Sequence, residues 1–108
     1  MRYIKITDLA SVIRSKNAGP YELTLDIIFN SKESFELARR SGMFKHELFA
    51  KLYGIDIENV IGVVEFEPAN AIKATIKRPV VSGALGETDV YGSQQHAPLL
   101  GLEVPVGN

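Results

Sequence analysis

Pro20-Tyr21-Glu22-Leu23-Thr24-Leu25-Asp26-Ile27-Ile28-Phe29-Asn30 is the stretch that decides the architecture of this chain. Leu23, Leu25, Ile27 and Phe29 alternate with Glu22, Thr24 and Asp26. Because successive side chains of a strand point to opposite faces, this spacing predicts a strand with one buried face. Ile28 interrupts the polar side, so the outer face is expected to be partly covered at that end. Asp26 reads as an outward carboxylate paired with Lys73, Lys77 or Arg78 of a neighbouring strand.

Downstream, Asn30 and Glu33 have the spacing of a capping box and open a helix through Phe35, Leu37 and Ala38 to the break at Ser41-Gly42. A second helix is expected from Lys45 to Tyr53, with Phe44, Leu48 and Leu52 in one row, Phe49 and Tyr53 in the next, and Gly54 as its stop. The aromatic set Phe35, Phe44, Phe49, Phe66 and Tyr53 reads as core packing. Val60 to Glu67 is apolar on both sides and fits a central or near-central strand. Ala71 to Arg78 alternates Ile72, Ala74 and Ile76 against Lys73, Thr75 and Lys77, and with the short turn Pro68-Ala69-Asn70 makes a hairpin. The connection through the helices is long enough for a crossover, which sets the third of these strands between the first two.

Upstream, Thr7 or Asp8 followed by Leu9, Val12 and Ile13 predicts a helix closed by Arg14 and Lys16 and ended at Asn17-Ala18-Gly19-Pro20. Beyond Pro79 there is neither a helical stripe nor sustained alternation up to Gly101. A loop of that length inside a small domain is commonly functional or docked on something else. Leu102 to Val106 is expected to return as a short edge strand, since Pro105 disfavours a central position. The fold class is therefore α+β: a small antiparallel sheet of three to four strands, helices packed on one face, and a long irregular C-terminal loop. A chain of 108 residues, 45% hydrophobic, supports one core. That core is placed at about residues 1–79, with an extended polar loop and tail over 80–108.

Composition narrows the function classes. The absence of cysteine excludes disulfides, thiolate metal sites and cysteine nucleophiles. A net charge of −1 gives no basic field for nucleic acid. The apolar runs are too short to span a bilayer, and the charged start MRYIKITDLA does not look like a signal peptide, so a cytoplasmic protein is expected. His46 has no second imidazole at helical spacing, and neither a metal nor a cofactor is expected.

The chemistry is expected in two segments. Arg14, Ser15, Lys16 and Asn17 place cations, a hydroxyl and an amide beside a glycine turn, a composition suited to holding a carboxylate or phosphate. Between Ser82 and Pro98 an acid, a phenol, amides and an imidazole are concentrated. There His96 is the candidate general base or acid, Asp89 or Glu87 its orienting group, Tyr91 a second donor, and Gln94 and Gln95 are candidate contacts to substrate. The sharpest expectation is that Arg14, Lys16 and Asn17 share a pocket with Tyr91, Gln95 and His96.

Arg14-Ser15-Lys16-Asn17-Ala18-Gly19-Pro20, running on into Asp26-Ile27-Ile28-Phe29, resembles the hallmark of a family of small bacterial and archaeal proteins, domain-of-unknown-function family 4387. The match continues through Ser41-Gly42, Leu52-Tyr53-Gly54, Ala71-Ile72-Lys73 and Arg78-Pro79. It ends in Ser82-Gly83, Asp89-Val90-Tyr91-Gly92 and Gln94-Gln95-His96-Ala97-Pro98-Leu99. The resemblance implies a partner, because members tend to be encoded beside, and sometimes joined to, a larger protein resembling the acyclic-terpene-utilisation family. It also implies a setting of carboxylate or coenzyme A thioester catabolism. The preferred expectation is a small subunit of a two-component enzyme, hydratase- or lyase-like, acting on a small anionic substrate. The alternatives are a non-catalytic module that docks on and stabilises a larger partner, and a self-contained enzyme working as a homo-oligomer.

Overall fold

The computed structural model describes residues 2–19, 21–77 and 96–107. The decisive strand forms where expected, as β3 (Glu22–Phe29), with β1 (Arg2–Lys5), α1 (Ile6–Leu9) and β2 (Ala10–Asn17) before it. After it come α2 (Lys32–Ser41), α3 (His46–Tyr53), β4 (Val60–Phe66), β5 (Ala71–Lys77) and β6 (Glu103–Val106). A four-stranded antiparallel sheet has the order β2-β3-β5-β4, so the third of the expected strands does lie between the first two. β1 and β6 form a separate two-stranded sheet.

Leu23, Leu25, Ile27 and Phe29 are buried, as are their cross-strand neighbours Ile72, Ala74 and Ile76. The helices cover that face. Phe35 of α2 and Phe49 of α3 are each 1% exposed, and Phe29 meets Phe35 and Phe44 at centroid separations of 6.1 and 6.3 Å. Both helices end on a left-handed glycine, Gly42 at φ 70° and Gly54 at φ 63°, a conformation that costs a residue with a Cβ. The N-cap of α2 is Ser31, whose hydroxyl accepts from the Ser34 N–H at 3.1 Å, one residue later than the capping-box spacing indicated. Asn30 instead ties α1 to this corner, donating from Nδ2 to the Asp8 carbonyl at 3.0 Å and accepting from Ser34 Oγ at 2.7 Å.

Three expectations are corrected. The helix expected from residue 7 to 16 is only the short α1; residues 10–17 are strand β2, paired along β3 from Ala10↔Phe29 to Asn17↔Leu23. Leu9, Val12 and Ile13 satisfy a helical spacing, but Val12 and Ile13 are β-branched, and pairing with β3 buries Ser15 as no isolated helix would. β4 is an edge strand, last in the order β2-β3-β5-β4, and the shift of its register on β5 between Val60 and Gly62 turns Val64 and Phe66 onto the face without helices. The core also extends past residue 79: Leu99, Leu102 and Val104 belong to it, and Ile6 N–H donates to the Leu102 carbonyl at 2.9 Å.

Candidate functional site

Cross-strand register arranges the open face of the sheet as a grid. Its first row is Val12, Ile28, Ala71 and Phe66; its second is Arg14, Asp26, Lys73 and Val64; its third is Lys16, Thr24, Thr75 and Gly62. Apolar, ionic and hydroxyl-bearing rows thus lie side by side.

The ionic row is centred on Asp26, whose side chain is only 4% exposed while those of Arg14 and Lys73 are 56% and 51% exposed. Arg14 Nε donates to Asp26 Oδ2 at 3.0 Å. Lys73 Nζ stands 4.0 Å from Oδ1, which is buried and has no hydrogen-bond partner. A buried carboxylate is costly unless it is paired. Here it is flanked by a guanidinium and an ammonium, so the row carries one positive charge in excess, and Lys16 in the next row adds another. The sequence offered Lys73, with Lys77 and Arg78, as a partner for an outward Asp26. The burial of Asp26 and its bond to Arg14 were not legible, because they depend on β2 being a strand.

Strand geometry also divides the first expected segment. Arg14 and Lys16 lie on the open face, whereas Ser15 and Asn17, opposite Leu25 and Leu23, lie on the helix-covered side, where Ser15 is buried. His96 precedes a 3-10 turn, Ala97–Gly101, and its carbonyl accepts from the Leu99 N–H at 2.9 Å. Leu99 is fully buried, which anchors that turn in the domain. Asp89, Tyr91, Gln94 and Gln95, together with Glu87, fall outside the described residues. His46 is exposed at the start of α3.

Two further features belong to the helical side. Arg39 of α2 bridges Glu36, Glu65 and Glu67 at 3.1, 3.3 and 3.2 Å, tying the helix to β4 and the turn after it. The hydrogen bond with Glu36, followed by the charges of Glu36, Glu65 and Glu67, holds the Arg39 proton more firmly than usual. Beside it a groove of about 330 Å³ is lined by Lys32, Phe35, Glu36, Glu67, Pro68 and Asn70. Its carboxylates are already engaged by Arg39. Burial pushes the Tyr53 phenol above its ordinary range.

A family model, Domain of unknown function (DUF4387), matches residues 6–103. The chain belongs to this family. The DUF4387 match spans β2, the whole four-stranded sheet and both longer helices, and so contains the entire grid. Neither a curated protein nor a solved structure matches the chain.

Proposed function

We propose that this chain is the small subunit of a two-component enzyme of carboxylate or acyl-CoA catabolism, contributing a surface that holds the substrate's anionic group. The observation that carries this reading is the pairing of both Arg14 and Lys73 with one buried carboxylate. Asp26 holds Arg14 by a hydrogen bond, faces Lys73 at 4.0 Å, and neutralises only one of these two half-exposed cations. A positioned guanidinium suits a carboxylate or phosphate, and Lys16 lies one row away. Gln94 and Gln95 act as further substrate contacts, whereas Ser15 and Asn17, on the helix-covered side of β2, do not join this surface. His96 is assigned the acid/base role, with Asp89 orienting it and Tyr91 donating to the developing oxyanion. Addition or removal of water next to a carbonyl needs such a group and such a donor. The larger acyclic-terpene-utilisation-like protein supplies the rest of the site.

A second reading, a module that only docks on and stabilises the larger protein, is favoured by Val12, Val64 and Phe66, which are exposed on the same face as the cations. Co-purifying the full chain with the protein encoded beside it, and assaying acyl thioesters with the complex, separates the two. In a catalytic subunit His96→Gln abolishes turnover of the assembled complex, and Lys16→Ala weakens substrate binding by about 1–3 kcal/mol, the scale of a charged hydrogen bond. In a docking module both changes weaken assembly and leave the activity per assembled complex untouched.

A further inference from the structure

The two edges of the four-stranded sheet are built differently. β2 carries Arg14 and Lys16, and cations on an edge strand are a common guard against pairing with another chain. β4, at the other edge, has the sequence Val60-Ile61-Gly62-Val63-Val64-Glu65-Phe66, without lysine, arginine or proline. Its one charge, Glu65, is engaged by Arg39 at 3.3 Å. Ile61, Val64 and Phe66 are each about half exposed, and no described strand pairs with the outer side of β4.

We propose that β4 pairs antiparallel with β4 of a second copy of this chain, about a two-fold axis through Val64, joining two four-stranded sheets into one. The residue pattern around Val64 is self-complementary in that register. Val64 faces Val64 of the second copy. Phe66 faces Gly62 of the second copy, and by symmetry Gly62 faces its Phe66, so a large ring covers the position that has no side chain. A Cβ built on Gly62 would meet nothing within 4 Å, so the space above it is open to such a ring. Aromatic cover of a strand glycine and apolar cross-strand pairs are both stabilising arrangements. On the other face Glu65 stands opposite Val63 of the second copy, and no like charges meet. A two-fold axis perpendicular to the sheet keeps both helical layers on the same side, so the helices do not obstruct the join. The same operation on β2 about Arg14 or Lys16 would set like cations against one another, which disfavours pairing at that edge.

The interface is one strand wide, at the small end of specific association, so a weak, concentration-dependent dimer is expected. Sedimentation velocity on the full chain over a wide concentration range tests this, with folding of each variant checked by circular dichroism. The wild-type chain should show a reversible monomer–dimer equilibrium. Val64→Lys and Val64→Glu should each raise the dimer dissociation constant at least tenfold, since each sets like charges directly opposite. Mixing the two variants should restore association as a heterodimer. Val12→Lys, on the same face at the guarded edge, should leave the constant unchanged. A wild-type chain that stays monomeric throughout overturns the proposal, including the case where β4 pairs only with a strand of a larger protein. So does a Val64→Lys chain that still dimerises, or a mixture of the two charge variants that fails to associate.

Discussion

Removing Arg14 should cost more stability than removing the charge of Asp26, although the two share one ion pair. The asymmetry follows from burial: the carboxylate side chain is 4% exposed and the guanidinium 56%. Arg14→Met keeps the aliphatic stem but strips the hydrogen bond from Oδ2, leaving a buried carboxylate with Lys73 at 4.0 Å as its partner. Breaking a buried pair from one side costs about 3–5 kcal/mol, and the remaining ammonium brings the expectation down to about 2–3 kcal/mol. Asp26→Asn leaves two cations that water can reach and relieves the desolvation of Oδ1, so about 1 kcal/mol is expected. With a urea slope of about 1.5 kcal/mol/M, Arg14→Met lowers the unfolding midpoint by about 1.3–2 M and Asp26→Asn by less than about 1 M. Equilibrium urea unfolding, followed by circular dichroism at constant ionic strength, reads both values. If Asp26→Asn proves the more damaging change, the carboxylate is not the buried, costly member of the pair, and the account of the ionic row is wrong.

Phe35→Ala, at a side chain 1% exposed between α2 and the sheet, should lower stability by about 3–5 kcal/mol in the same assay. Gly42→Ala and Gly54→Ala, both at positive φ, should each cost about 1 kcal/mol, whereas alanine at exposed helix positions should not. The Tyr53 phenol, whose proton is held by burial, should stay protonated in the folded protein above about pH 10, where a free phenol ionises; ultraviolet difference titration against Tyr53→Phe isolates it. Because the folded state then binds more protons than the unfolded one, the contribution of Tyr53 to stability is complete below about pH 10 and is lost as pH rises beyond it.

Elements whose amphipathic pattern has one interpretation were legible in the sequence. The alternation in β3 and β5 admits nothing but strands, and the apolar rows of α2 and α3 locate both helices to within a residue or two. β2 was not legible, because Leu9, Val12 and Ile13 fit a helix as well as a strand, and the choice is made by pairing with β3. β1 is short and its partner β6 lies at the far end of the chain, so no local pattern announces it. The site divides along the same line. Arg14 and Lys16 stood out by composition, yet their separation from Ser15 and Asn17 follows from strand geometry alone. The central role of Asp26 appears only once the registers of β2 and β5 on β3 are known.

The pairing of β1 with β6 determines how the fold responds to mechanical load. Arg2 lies opposite Val106 and Lys5 opposite Glu103, so residues 2 and 106 sit at the same end of an antiparallel pair. Tension applied between those two residues peels the pair open from that end, loading its hydrogen bonds one after another rather than together. A ribbon pulled in this way yields at low force. The first barrier to extension is therefore a short zipper, and the four-stranded sheet is loaded only after β1 and β6 have parted and drawn Ile6 and Leu102 away from each other.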